Sequence, residues 1–290
     1  MYHRILVPLD GSELSAGVLP YVRWLVRALN TPVELLYVID PAHPTLTPGT
    51  GYLNSLAASF SALATVKCKI DSGYPADIIV DVAAAEPATL VAMATHGYSG
   101  AKRWLLGSVA EKVLHSLAGD LFLVRPGAGE SSAEVQLKTA LVPLDGSKQA
   151  ERIFPTVLEM AQRLDLGIQL LHVTRRVYAA PPDAFVPVFG ATPNFKELWA
   201  QDRAAANQYL TEKAAQLRAQ GAAKTSAAVI EAGADGRAGE IIDHADNVAA
   251  SLIAMTSHGR SGIGRWLIGS VTERVARHSK RPVFIVRPRA

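Results

Sequence analysis

The segment Leu6-Val7-Pro8-Leu9-Asp10-Gly11-Ser12 returns as Leu141-Val142-Pro143-Leu144-Asp145-Gly146-Ser147, 135 positions later. Repetition at that distance means two copies of one structural unit, each long enough to bury its own core. A second block, Met93 to Gly100, returns as Met255 to Gly262, and Arg103-Trp104-Leu105-Leu106-Gly107-Ser108-Val109 returns as Arg265-Trp266-Leu267-Ile268-Gly269-Ser270-Val271, now 162 positions on. The spacing has widened from 135 to 162, so the second copy carries 27 extra residues between the two blocks. Each copy closes on an apolar run followed by Arg-Pro, at Arg125-Pro126 and Arg287-Pro288. The small, polar stretch from Gly127 to Leu137 reads as a linker. Two domains are therefore expected, residues 1–127 and 137–290.

Within one copy the apolar pattern alternates between two periods. Arg4 to Pro8 is a short apolar run, and Leu14, Val18, Val22, Leu25 and Leu29 then recur at helical spacing. Apolar runs follow at Val33 to Val38, Val66 to Ile70, Thr89 to Met93 and Leu121 to Val124, with helical patterns at Ala76 to Ala85 and Ser108 to Ser116. Strand and helix alternate throughout. Nearly continuous apolar strands joined by helices imply a parallel sheet covered on both faces, with ligands beyond the carboxyl ends of the strands. The insertion of the second copy reads as loop around Pro181, Pro182 and Pro187, then as a long helix from Phe195 to Gln220.

Charge and hydropathy exclude several classes of function. The chain has 29 Lys and Arg against 26 Asp and Glu, a net charge of +3, which is no surface built for phosphodiester backbones. Nucleic acid is not an expected partner. Neither an apolar run of membrane length nor a signal-peptide pattern is found, so a soluble, cytoplasmic protein is expected. The single cysteine, Cys68, reads as a buried thiol in an apolar strand, with no second cysteine to support redox or metal chemistry.

The segments that carry chemistry are the two loops that follow apolar strands and precede helices. In the second of them Gly97, Gly100 and Gly107 allow close approach of the backbone to a ligand, and Ser108 opens a helix whose free amides and dipole favour an anion such as phosphate. The same residues recur as Gly259, Gly262, Gly269 and Ser270. The alternative is structural: a turn glycine followed by a helix-capping serine. Asp10, in Asp10-Gly11-Ser12, and its copy Asp145 are equally open to a turn-and-cap reading. Beside a phosphate loop, however, a carboxylate repels the anion unless a divalent cation lies between them, so the combination implies Mg²⁺ or Mn²⁺ near Asp10 and Asp145. His96 and His258 adjoin the loop glycines, where a backbone or loop hydrogen bond is the ordinary role and general-base chemistry the alternative. Trp104 and Trp266 read as packing under the loop, while Lys102, Arg103 and Arg265 can reach a triphosphate or remain solvated.

With these residues the chain resembles the universal stress protein family, as a tandem two-domain member of the ATP-binding type. The family's motif has a glycine, two residues, a second glycine, nine residues, then glycine and serine or threonine. Gly97 with Gly107-Ser108, and Gly259 with Gly269-Ser270, match its latter part, whereas the first glycine is replaced by Ala94 and by Thr256. The resemblance implies a Rossmann-like, five-stranded parallel sheet of order 3-2-1-4-5 in each half. It also implies ATP as the ligand, the strand-1 Asp10 and Asp145 near the nucleotide, and adenine held through the backbone of Val38 and Val173 at the end of strand 2. The two halves are expected to pair through their last strands as an internal pseudo-dimer, since an unpaired apolar edge strand invites association. A further homodimer is left open, and the protein partner is unspecified. The insertion from Arg175 to Asn194 is placed as a lid over the second adenine pocket.

Three functions follow from this reading. The first is a nucleotide-binding regulatory protein of the stress response. The second is a slow ATP hydrolase; the chain lacks a P-loop lysine motif, a nucleophile elbow and a metal-ligand cluster. The third is an interaction module of the same family without nucleotide, for which the Ala94 and Thr256 departures speak.

Overall fold

The structure, a computed structural model, describes residues 2–42, 50–96, 106–125, 135–174, 195–258 and 268–287. The first half contains β1 (Arg4–Leu9), α1 (Glu13–Ala16), α2 (Leu19–Leu29), β2 (Val33–Ile39), α3 (Thr50–Ala58), β3 (Val66–Ser72), α4 (Pro75–Ala85), β4 (Thr89–Ala94), α5 (Ser108–Ser116) and β5 (Asp120–Val124). The second half contains β6 (Thr139–Pro143), a 3-10 turn (Ala150–Ile153), α6 (Phe154–Leu164), β7 (Gly167–Thr174), α7 (Phe195–Ala219), β8 (Thr225–Glu231), α8 (Gly236–Asn247), β9 (Leu252–Thr256), α9 (Ser270–His278) and β10 (Val283–Val286).

Helix boundaries follow local chemistry. Pro20 and Pro155 stand in the first turns of α2 and α6, where the missing N–H costs nothing. Asn30 and Asp165 end these helices in the left-handed region, at φ 47° and 57°, conformations that short polar side chains tolerate. The long pattern of the insertion becomes α7, whose buried Ala206, Leu210, Ala214 and Leu217 form one apolar stripe. Tyr209 and Lys213 on α7 reach Glu151 at 3.0 and 2.8 Å and tie the helix to the 3-10 turn.

The ten strands among the described residues form one sheet, ordered β3-β2-β1-β4-β5-β10-β9-β6-β7-β8. Each half thus has the order 3-2-1-4-5 with parallel neighbours, and the halves join where β5 and β10 run antiparallel, with Phe122 opposite Phe284. The central strands β1, β4, β5 and β10 are buried at every position, as expected for strands covered on two faces.

The outer strands differ. Among the described residues β3 has a neighbour on one side only, and Lys67, Cys68 and Ile70 reach solvent. This corrects the expectation for Cys68: its thiol is exposed, because an edge strand lacks the second layer of cover that the apolar run suggested.

The seam between halves is layered. On one face Tyr21, Phe122, Phe284 and Tyr2 form a chain of tilted aromatic contacts 5.8 to 6.4 Å apart. On the other, Arg277 meets Glu111 at 2.7 Å and His115 approaches Glu273 at 3.7 Å, two pairs related by the repeat. The strand-ending arginines cross over as well. Arg125 donates to the carbonyl of Arg277 and Arg287 to that of Leu114, each at the end of the other half's last helix. Asp120 accepts from the Tyr2 hydroxyl at 2.5 Å and from the Arg287 amide at 2.7 Å, so the seam buries a satisfied carboxylate.

Candidate functional site

Strands β1 and β4 are neighbours, so the loops leaving their carboxyl ends emerge side by side, and the amino end of α5 faces them. A cavity of about 560 Å³ opens there, bounded by Asp10, Val38, Ala94, His96, Gly107 and Ser108. The second half repeats it at about 490 Å³, bounded by Asp145, Val173, Thr256, His258, Gly269 and Ser270. Both volumes suit a ligand of nucleotide size. Of the site residues expected from sequence, Gly97, Gly100, Gly259 and Gly262 lie outside the described residues. So do Trp104, Trp266, Lys102, Arg103, Arg265 and the 175–194 segment expected as a lid.

The aspartates do hold their own loops. Asp10 Oδ1 accepts from the amide and hydroxyl of Ser12 at 3.0 and 2.6 Å, and Ser12 Oγ in turn accepts from the amide of Ser15 at 3.1 Å. Gly11, at φ 86°, makes the turn. Asp145 and Ser147 repeat the arrangement with the same distances, and the amide of Ala150 closes it. The turn-and-cap role is therefore real, and it also fixes the carboxylate at the cleft wall. Burial, with the charge of Asp10 next, pushes the phenols of Tyr37 and Tyr52 above their usual range, which places both rings within the field of that carboxylate.

The glycines ahead of α5 and α9 serve a purpose that spacing did not show. Gly107 and Gly269 have ordinary negative φ values, −63° and −67°. Their amides donate to the carbonyls of Thr95 and Ser257, both at 2.8 Å. A Cβ on either would stand 3.0 Å from that same carbonyl oxygen. A side chain here would press on the carbonyl that the glycine's own N–H engages. Gly107 and Gly269 are also the N-caps, which corrects the alternative that made Ser108 a cap: Ser108 and Ser270 are the first helical residues, and no side chain caps either helix. The first-turn residues Ser108, Val109 and Ala110, and their copies Ser270, Val271 and Thr272, line the two cavities beneath those uncapped ends.

Ala94 and Thr256, which replace the motif's first glycine, are not in the left-handed region, so the backbone there makes no demand for glycine. Thr256 turns its hydroxyl to the carbonyl of His258 at 2.8 Å, and Thr272 donates to the carbonyl of Thr256 at 2.9 Å. Val38 and Val173 are buried and line their cavities, each one residue before the end of its strand. His96 and His258 pair through Nδ1 with the hydroxyls of Thr95 and Ser257, at 3.0 and 3.1 Å. His258 is held below the usual imidazole range by burial and then by Arg287.

The cavities also contain residues that sequence reasoning did not single out. Tyr37, Asp40 and Pro75 line the first, and His172 and Arg237 the second. The repeat offsets carried a signal for them, because Tyr37 falls in register with His172 and Pro75 with Arg237. Among the described residues, no group of three or more His, Cys, Asp or Glu is placed to hold a metal.

No described helix is long and apolar enough to cross a membrane. The family model for the universal stress protein family matches residues 1–125 and again 136–287. The chain is 28% identical to a universal stress protein of Mycolicibacterium smegmatis over 98% of its own length and 97% of the relative's. A universal stress protein of Methanothermobacter thermautotrophicus is 32% identical across 43% of this chain and 97% of its own, one domain against two. Among solved structures, a universal stress protein from Archaeoglobus fulgidus superposes with a TM-score of 0.66 over 99% of both chains, at 20% identity, a likeness of fold.

Proposed function

This chain belongs to the universal stress protein family, and we propose that it is an ATP-binding, regulatory member in the stress response, holding nucleotide at the cleft of each half. One observation carries the reading: in both halves an uncapped helix amino end and a positioned aspartate meet across a cavity of nucleotide size, beyond the carboxyl ends of β1 and β4 or β6 and β9. The phosphates would lie against the first turns of α5 and α9, with Mg²⁺ or Mn²⁺ between them and Asp10 or Asp145. Adenine would sit against the buried ends of β2 and β7 at Val38 and Val173. Binding then changes the surface around the two loops, which is the means by which such a protein would regulate a partner.

Purification without added nucleotide, denaturation and anion-exchange chromatography of what is released tests this, together with a calorimetric titration of magnesium-ATP. Retained or titrated ATP at one or two per chain supports it. No binding at millimolar ATP overturns it in favour of an interaction module. That second reading draws on Gly107 and Gly269, whose amides are engaged with protein carbonyls.

A further inference from the structure

The two clefts share a backbone and differ in charge. The described lining of the first includes two carboxylates, Asp10 and Asp40, and no Lys or Arg. The described lining of the second includes one carboxylate, Asp145, and the guanidinium of Arg237 on the first turn of α8, where the first half has Pro75 at the start of α4. Arg237 is half-buried, and its guanidinium makes no side-chain hydrogen bond or ion pair among the described residues. In sequence the two glycine loops carry two basic residues each, Lys102 and Arg103 in one and Arg260 and Arg265 in the other.

We propose that the clefts take adenine nucleotide in different ionic forms: the first only as its complex with a divalent cation, the second also as the free anion, with Arg237 as the counter-charge. This rests on the nucleotide reading above. Two carboxylates facing a polyphosphate repel it until a cation bridges them. A guanidinium beside a single carboxylate in the described lining offsets the repulsion that the first cleft presents, and it offers paired N–H donors to phosphate oxygens.

The test is a calorimetric titration of the full chain with ATP at constant ionic strength, once with excess Mg²⁺ and once with EDTA. Two sites are expected with Mg²⁺ and one with EDTA. Arg237→Gln should weaken the EDTA-resistant site by about tenfold or more, the scale of one charge-assisted hydrogen bond, and leave the Mg²⁺-dependent site unchanged. Asp40→Asn should give the first cleft binding in EDTA, a gain that a folding defect cannot imitate. Two sites that respond alike to EDTA, or Arg237→Gln without effect there, overturn the proposal. Binding under neither condition overturns the nucleotide reading itself and this proposal with it.

Discussion

The two halves were laid down on one pattern, yet they keep their polar groups in different places. In the first, the buried Arg4 on β1 pairs with Glu34, donates to the hydroxyl of Thr89 at 3.0 Å, and reaches Glu86 at 2.9 Å and the carbonyl of Val82. In the second, the residues in register with Arg4, Glu34 and Glu86 are Thr139, Gln169 and Val248, and the charge network is absent. The apolar strand interiors, in contrast, superimpose position by position: Phe122 answers Phe284, and Leu6 answers Leu141. The comparison teaches that the skeleton does not depend on the buried charge network around Arg4, since the second half forms the same strands without it. Polar devices at the strand ends and in the clefts can be exchanged without changing it.

The largest effect expected from this contrast is at Arg4. Arg4→Ala strands Glu34 in a nearly buried site and should cost about 3 to 5 kcal/mol, whereas Thr139→Ala should cost about 1 kcal/mol or less. Urea unfolding, with hydrogen exchange followed separately on β1 and β6, measures both; equal losses in the two halves would remove the distinction.

Gly107→Val and Gly269→Val test where the halves are alike. Each drives side-chain atoms into a backbone carbonyl that already accepts the glycine's own amide, at about 1 to 3 kcal/mol, and each should empty its own cleft only. Nucleotide stoichiometry falling by one per substitution is the expected result. Unchanged affinity in both variants would show that the loops do not serve a ligand.

Acid should separate the halves next. His244 and His258, both in the second half, are pushed below the ordinary imidazole value of 6.5, each chiefly by burial. A histidine depressed in the folded state binds fewer protons than in the unfolded chain. Its stabilisation is therefore complete above pH 6.5 and is lost as pH falls from there toward the folded value. Replacing His258 with Gln should flatten that fall in thermal melts between neutral and mildly acidic pH.

The seam supplies the smallest effect. Glu111 is held below the usual carboxylate range chiefly by its hydrogen bond to Arg277, so its contribution is present above the ordinary value of 4.5 and is lost in acid below it. The pair is largely solvated, and Glu111→Gln should cost at most about 1 kcal/mol, and less in high salt. A larger loss, or one insensitive to salt, would mean that the seam relies on this pair more than on its aromatic face.

Much of this architecture was legible because its causes are local and periodic. The repeat marked two units, the alternation of periods marked strands and helices, and the apolar last strands foretold the pairing that β5 and β10 make. Asp10 and Ser108, about a hundred positions apart, do line one cavity. Cys68 was misjudged because an apolar strand looks the same at the edge of a sheet as at its centre until its neighbours are counted. The crowding at Gly107 was not legible because the atom that a Cβ would press on, the Thr95 carbonyl, belongs to a segment twelve residues earlier.

By itself, then, the sequence determined the duplication, the order of elements and the loops that border the two clefts, since these depend on burial period and turn chemistry that each segment carries alone. Only the tertiary structure decided which charges share a cleft. Asp40 and Pro75 in the first half, and Arg237 in the second, come from elements that crossover helices carry to the same sheet edge, and no local pattern records that meeting.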